Sequence, residues 1–367
     1  MMSNILLISH NLNLEGAPIF LLSVAEAYIE AGHKVTVLSE EKGLLVEKFE
    51  KMGAKVSFVP LFAKDGPKKV SKFIEKEGFD VVVSNTIVMH EILIGIKNIN
   101  CQKLWVIHES EIDHYKKILS FTAKSFDCAD KVVFVAHETA KLYEEYKKND
   151  DHFVVIHNGM DSTKIDEFKK KNPKKELKAK YGHSKKDKVF LNVGTICQRK
   201  GQVDLIESII DLFINAKLDD HTYFYFVGFR NIYDGGVRCK ELVEMYSMQD
   251  KIRIIDMSDK AFEYYGFADY YLCNSYIESF PLTILEAMAF ELPIASSDVY
   301  GIKEQLTHKK NGLIFPAGRH LEIKESILTF FKNNQVARQY AKAAYKKLKL
   351  DFSIEKMKKE YVKLIKK

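Results

Sequence analysis

The sequence predicts an α/β protein made of two doubly wound domains in tandem. Its 367 residues exceed what one hydrophobic core usually supports. Short β-branched runs alternate with amphipathic helical stretches from the first residues onward, the signature of βαβ units and parallel sheets. That alternation stops in a stretch rich in lysine and glutamate and then restarts. With 46% hydrophobic and 29% charged residues, each half can bury a core of its own, and disorder is excluded.

The elements follow in order. Ile5 to His10 reads as a first strand, leading into a helix over Pro18 to Ala31 whose Leu21, Leu22, Ala25, Tyr28 and Ile29 repeat at helical spacing, with Gly32 closing it. Val35 to Leu38, Val56 to Val59, Val81 to Ser84, Leu104 to His108, Val132 to Val135 and Val154 to His157 complete a first set of strands. The first domain is assigned to residues 1–165 and a linker with a short helix to 166–188. Val189 to Val193, Tyr223 to Val227, Ile252 to Ile255, Tyr270 to Asn274, Ile294 to Ser296 and Leu313 to Phe315 give the second set, in a domain spanning 189–350. A break at Asp351 to Ser353, with Ser353 able to cap a last helix, predicts that 351–367 turns back to the first domain. The lysines of this tail read as a solvated helix face.

Several function classes drop out at once. No apolar run approaches the roughly 20 residues a membrane span needs. The start of the chain reads as a strand rather than a leader, so the protein is expected to stay in the cytoplasm. Cys101, Cys128, Cys197, Cys239 and Cys273 are scattered and odd in number, which suits a reducing compartment and gives no thiolate metal spacing. The net charge of +6, from 56 Lys plus Arg against 50 Asp plus Glu, favours phosphate-bearing substrates or an anionic membrane face; no nucleic-acid-binding motif is present.

Ligands of open α/β sheets bind beyond the carboxyl ends of the strands, so chemistry is sought there. Glu278-Ser-Phe-Pro-Leu-Thr-Ile-Leu-Glu286 places two carboxylates across a strand-to-helix junction. Pro281 suits the first turn of the helix, with Ser279 or Phe280 as cap. Backbone N–H groups of Phe280, Leu282 and Thr283 would then face an anion such as a diphosphate. Gly194-Thr-Ile-Cys-Gln-Arg-Lys-Gly201 follows the first strand of the second half and brings Arg199 and Lys200 to a crevice mouth, where cations neutralise a departing phosphate. His10-Asn-Leu-Asn-Leu-Glu-Gly16-Ala17-Pro18 enters the first helix; it lacks the dinucleotide glycine fingerprint, and Gly16 serves either close backbone approach to phosphates or a tight turn. His108 ends a strand, Asn85 follows another, and Asp256-Met257 and Gly228 follow strands of the second half. Glu109, Glu111 and Asp113 make an acidic loop that fits acceptor contact and plain solvation equally.

The two-glutamate motif, preceded by Ala268-Asp269 and followed by Glu286-Ala-Met-Ala289, resembles that of the retaining glycosyltransferases of family 4, and the likeness extends over nearly the whole chain. The resemblance implies a GT-B fold, two Rossmann-like domains facing across a cleft. It implies that Glu278 contacts the donor sugar, Glu286 the ribose, Lys200 the diphosphate, and His108 the region of the reacting centre. Glu278, Lys200 and His108 are the expected catalytic residues. Gly16, Arg199, Lys200, Asp256, Met257, Glu278, Phe280, Pro281, Leu282, Thr283 and Glu286 are the expected donor-binding set. The family places an arginine where Thr195 stands, so a two-cation clamp requires that neighbouring Arg199 substitute for it, and Arg199 reads equally as part of an ordinary basic helix start. Asn158-Gly159 matches an interdomain turn.

The implied reaction moves a hexosyl group from a nucleoside diphosphate sugar, UDP-linked by expectation, to an acceptor hydroxyl with retention, in bacterial surface glycan or glycoconjugate synthesis. No cofactor is expected, and the lack of an Asp-x-Asp site predicts metal independence. The acceptor is a glycan, a lipid-linked glycan or a protein. Peripheral contact with the inner membrane face is an added expectation, from Tyr115, Ile118, Leu119, Thr122 and Phe126 beside Lys116, Lys117 and Lys124. Two rivals remain open: a sugar-nucleotide 2-epimerase of the same fold, and a non-catalytic partner subunit.

Overall fold

The computed structural model describes residues 2–119 and 121–365. The chain divides into two compact units, Met1–Gly159 with Ile354–Lys367, and Met160–Ser353.

In the first unit seven strands, β1 (Asn4–Ser9), β2 (Lys34–Ser39), β3 (Lys55–Phe58), β4 (Val81–Asn85), β5 (Gln102–Ile107), β6 (Lys131–Phe134) and β7 (Phe153–Val155), form one sheet in the order β3-β2-β1-β4-β5-β6-β7. Every pairing is parallel. β1, β4 and β5 carry unbroken apolar stretches, Ile5–Ile8, Val81–Val83 and Leu104–Ile107, because helices cover both faces of the sheet, so no polar alternation is needed. The order reverses between β1 and β4, which opens a crevice at their carboxyl ends. One face packs on the helix Gly16–Glu30 and on the last helix, Ile354–Leu364. Ile354, Met357 and Tyr361 of that last helix are buried there, and the Tyr361 and Phe20 rings meet edge to face at 5.6 Å. Lys358 bonds Glu26 at 2.8 Å and Glu30 at 2.9 Å, so this lysine of the basic tail is tied down.

The second unit repeats the plan with β8 (Lys188–Val193), β9 (Thr222–Phe229), β10 (Ile252–Asp256), β11 (Tyr270–Cys273), β12 (Ile294–Ser297) and β13 (Leu313–Phe315), in the order β10-β9-β8-β11-β12-β13, again all parallel. Its reversal falls between β8 and β11. The lysine-rich stretch before β8 holds two helices, Ser162–Lys171 and Lys174–Lys180. Asp161 caps the first by accepting from the N–H groups of Thr163 and Lys164. Ile165 and Leu177 are buried, and Lys178 is drawn inside by the Asp187 carbonyl at 2.6 Å and the Asp269 carboxylate at 2.7 Å. The helix Asn334–Asp351 closes this unit, and Phe352 after it packs edge to face on Phe280 at 5.2 Å.

Candidate active site

In the second unit the residues with chemistry collect at the carboxyl ends of β8 and β11. After β8 the chain makes a single 3₁₀ turn, Gln198–Lys200, and leaves it through Gly201 with φ at 63°, in the left-handed region. A Cβ on Gly201 would collide with the Asn274 carbonyl, and Asn274 Nδ2 donates to the Gly201 carbonyl at 2.9 Å. Glycine therefore lets the turn close directly on the end of β11. The result brings Lys200 to Glu278, whose Oε1 it contacts. Ser275 Oγ donates to the same oxygen at 3.3 Å, and Arg199 Nη1 donates to the Ile277 carbonyl at 3.0 Å while lying 4.0 Å from Glu278 Oε2. The Lys200 and Glu278 side chains are only 18% and 11% exposed, so the pair is largely withdrawn from water and charge-assisted.

The helix that follows runs over Leu282–Ala289 and Pro281 is its cap, in place of the Ser279 or Phe280 that the sequence suggests. With ψ at 126° Pro281 is extended, and its carbonyl accepts from Gln305 Nε2 at 3.0 Å, which holds it outside the first turn. Phe280 is buried, so its side chain anchors the loop, edge to face on Phe352. Leu282 and Thr283 are half-buried in the first turn. Glu286 sits in the next turn; burial pushes its carboxyl up to about 7, opposed by the neighbouring Tyr265 hydroxyl. That tyrosine is fixed by stacking on Tyr271 and Phe290 and by donating to the Thr283 carbonyl at 3.2 Å. Asp256 and Met257 are exposed at the end of edge strand β10, with β9 and β8 between it and β11. Met257 N–H bonds the Phe229 carbonyl at 3.2 Å. The structure thus joins Arg199, Lys200 and Glu278 in one contact group, puts 280–286 on one helix start, and leaves Asp256 and Met257 apart.

In the first unit His108 follows β5 and Asn85 ends β4. His108 Nε2 lies 2.8 Å from Asn85 Oδ1, and Asn85 Nδ2 donates to the Ala17 carbonyl at 3.0 Å. The Phe20 ring meets the imidazole edge to face at 4.7 Å. Burial, with the neighbouring His10 adding to it, lowers His108 to about 3, so the ring is neutral. Glu109 Oε2 accepts the N–H of His108 at 2.9 Å and of Ile87 at 3.1 Å, and burial raises this carboxyl to about 7. Between Asn85 and Ile87, buried Thr86 is held at φ 83° by its N–H bond to Val106 and by Trp105 Nε1 donating to its carbonyl, both 2.8 Å. A β-branched residue in that region is strained, and strain concentrates at working strand ends. Gly16 opens the helix Gly16–Glu30, and a Cβ there would meet nothing within 4 Å, so no neighbour requires glycine. Sequence reading missed the roles of Asn85 and Glu109 in fixing His108; the position of Asn85 at a strand end was the available signal.

Two other groups bear on ligands. Asp204, Glu207 and His320 offer ligand atoms within 4.8 Å of one another, but the Tyr276 hydroxyl donates to Asp204 at 2.9 Å and Ser208 bonds His320 at 3.0 Å, which makes a surface polar cluster. The helix Ile112–Leu119 turns Tyr115 and Leu119 onto the core, Phe126 is fully buried and stacked on Tyr146, and Lys116 bonds Glu145 at 2.6 Å. Of the residues expected to meet a membrane, Ile118 and Thr122 stay exposed, while Tyr115, Leu119 and Phe126 pack in the core. Among the described residues no helix is long and apolar enough to cross a membrane.

Comparison with known proteins places this geometry. Residues 173–347 match the glycosyl transferases of group 1, and residues 2–162 match glycosyl-transferase family 4. The N-acetyl-alpha-D-glucosaminyl L-malate synthase of Bacillus anthracis is 24% identical over 64% of this chain and 58% of its own length. A glycosyltransferase of Methanocaldococcus jannaschii is 26% identical over 53% of this chain and 47% of its own. The chain thus spans about half the length of these two curated relatives. Among solved structures, a glycosyltransferase from Rickettsia africae superposes with a TM-score of 0.82 at 20% identity, covering 99% of this chain and 98% of that one. HepE of Anabaena in complex with UDP-glucose superposes at 0.82 with 15% identity over 99% of both chains. At these identities the structures speak to the GT-B fold alone.

Proposed function

Because the chain belongs to the group 1, family 4 glycosyl transferases, we propose that it moves a hexosyl group from a nucleoside diphosphate sugar to an acceptor hydroxyl, with retention. The observation that carries the reading is the Lys200–Glu278 pair, with Arg199 and Ser275 around it, at the carboxyl ends of β8 and β11 beside the start of the helix Leu282–Ala289. A cation and a helix N-terminus at one point suit a diphosphate leaving group. Glu278 supplies the carboxylate for sugar hydroxyls, Glu286 that for the ribose, and the exposed residues Asp256 and Met257 suit a base. Leu282 and Thr283 contribute backbone N–H groups to the phosphate site, and Pro281, which has no N–H, turns the chain into them behind the buried Phe280. A UDP-linked donor is the reading proposed by analogy with HepE, which shares the fold and is described in complex with UDP-glucose. The alpha-galactosylglucosyldiacylglycerol synthase of Streptococcus pneumoniae, 29% identical over 49% of this chain and 46% of its own length, supports glycoconjugate synthesis.

In the reaction the acceptor oxygen bonds the anomeric carbon as the bond from that carbon to the phosphate oxygen breaks. The acceptor proton passes to the departing phosphate on the same face, and Lys200, with Arg199, balances the charge that develops there. His108, neutral and fixed, contacts the sugar, and Gly16 leaves space for the diphosphate.

Anomeric proton NMR of the protein with UDP-, GDP- and ADP-sugars, without acceptor, tests this. Slow release of one sugar as its α-anomer, lost in Glu278→Gln, is the expected result. Interconversion of the sugar nucleotide would establish an epimerase instead, and neither turnover nor binding with any donor would overturn the assignment as an enzyme.

A further inference from the structure

We infer that Asn85 is a positioning residue that fixes His108 with its proton on Nε2, so that Nδ1 is presented as a bare hydrogen-bond acceptor for a sugar hydroxyl.

The chain of bonds leaves one consistent assignment. The Ala17 carbonyl can only accept, so the Asn85 amide must turn its Nδ2 toward it, across the 3.0 Å contact. That orientation points Oδ1 at His108, and a carbonyl oxygen again can only accept. At 2.8 Å from Oδ1, Nε2 must therefore carry the hydrogen. The opposite tautomer would set two lone pairs against each other in a site where Asn85 is fully buried and no water can relieve them. His108 is neutral, so one ring nitrogen is bare, and that nitrogen is Nδ1. Nδ1 makes no hydrogen bond to any described residue.

The lock is anchored on three elements. Asn85 ends β4 in register with Val106 of β5, beside the strained Thr86. The Ala17 carbonyl lies in the first turn of the helix Gly16–Glu30, and Phe20 of the same helix packs on the imidazole. Glu109 holds the His108 N–H and the Ile87 N–H together, so the ends of β4 and β5 cannot part without breaking that clamp. The titratable groups electrostatically close to this ring are His10, which disfavours its protonation, and Glu109, whose carboxyl is turned to backbone N–H groups. A bare imidazole nitrogen recognises a ligand O–H and repels a group that can only accept. The consequence for the donor, which rests on the glycosyltransferase reading, is that a neutral hexose with a free hydroxyl at this point is taken and one carrying a carboxylate or fluorine there is refused.

The test is the nitrogen-15 spectrum of histidine-labelled full-length protein without ligand, with His108→Gln used for assignment. The expected pattern is a protonated Nε2 and a bare Nδ1, unchanged between pH 6 and 8 on the order-of-magnitude scale set by a ring this far below its ordinary range. In Asn85→Ala, and in Asn85→Ser as the milder replacement, the two nitrogens move toward averaged shifts. Turnover of whichever sugar nucleotide the protein cleaves should fall roughly tenfold in kcat/KM, the scale of one hydrogen bond. A wild-type spectrum with the hydrogen on Nδ1, or variants that keep the wild-type pattern, would overturn the inference while leaving the glycosyltransferase reading intact. A locked Nε2–H tautomer in a protein that neither binds nor cleaves any sugar nucleotide would overturn the hydroxyl assignment together with that reading.

Discussion

At the residue scale, Glu286 links donor binding to pH. An empty site with this carboxyl pushed up to about 7 is partly protonated near neutrality, whereas ribose hydroxyls need the ionised form as acceptor. Titration calorimetry with UDP-glucose, whose diphosphate does not titrate in the window, should show affinity rising from pH 6 to 8 and approaching tenfold per unit well below 7. Glu286→Gln should flatten the curve; a flat wild-type curve would remove Glu286 from the ribose. The same residue has the opposite effect on the unliganded fold. Its folded pKa is raised from the usual 4.5, so the folded state binds the extra proton, and stability is lost as pH rises from about 4.5 through about 7. Glu286→Gln should therefore melt higher than the wild type at pH 8 and close to it at pH 4.5. His108 has the reverse sign: its folded pKa is lowered from 6.5 to about 3, so its contribution is present above 6.5 and lost as pH falls. Arg199 carries a sharper question, because Thr195 stands where the family has arginine. The guanidinium already lies 4.0 Å from Glu278 Oε2. Arg199→Ala should cost about 10- to 100-fold in kcat, and adding Thr195→Arg should recover part of it. An Arg199→Ala protein with normal kcat would mean that Lys200 alone serves the phosphate.

At the element scale, the turn Gln198–Lys200 and the start of the helix Leu282–Ala289 work as one device, joined by Gly201 and Asn274. Gly201→Ala adds a Cβ where the Asn274 carbonyl stands and asks an L-residue to hold φ at 63°. It should cost at least about 1–3 kcal/mol and lower turnover by moving Lys200 from Glu278, read by thermal melts alongside kinetics. Gly53→Ala, also at positive φ but with an open surround, should show strain alone. The strands were legible because buried parallel strands are written as short apolar runs, β-branched in β4 and aromatic in β9 and β11. The start of the helix at Leu282 was read one residue early because proline usually marks a first turn, and nothing local reveals that Gln305 claims the Pro281 carbonyl. The sequence shows only a short helix where Ser162–Lys171 and Lys174–Lys180 stand, because each buries a single apolar residue, Ile165 or Leu177, and the long stem of Lys178 does the rest. The His108–Asn85 bond was illegible for a further reason: its partners are 23 residues apart and meet only through the register of β4 with β5.

At the scale of the whole molecule, the chain leaves its first unit at Gly159 and re-enters it at Ile354, so that unit is completed by the last residues of the sequence. Ile354, Met357 and Tyr361 are buried against the helix Gly16–Glu30, and burying each such side chain is worth about 1.5–3 kcal/mol. Together with the Lys358 bonds to Glu26 and Glu30, that sum is comparable to the roughly 5–15 kcal/mol that holds an ordinary domain folded. Among the described residues the core cluster of the second unit has no member from beyond Ser353, and the Phe352 contact with Phe280 survives a cut there. Removing residues 354–367 should therefore unfold one unit and spare the other. Hydrogen exchange should show amides of β1, β2 and β4 losing protection while those of β8, β9 and β11 keep theirs. His108 and Asn85 would lose their geometry with the first unit, whereas Lys200 and Glu278 would keep theirs, so a truncated chain should still bind UDP while transferring no sugar. Equal loss of protection in both sheets would mean the units fold as one cooperative body, and no loss in either would mean that the last helix adds little to the first unit's stability.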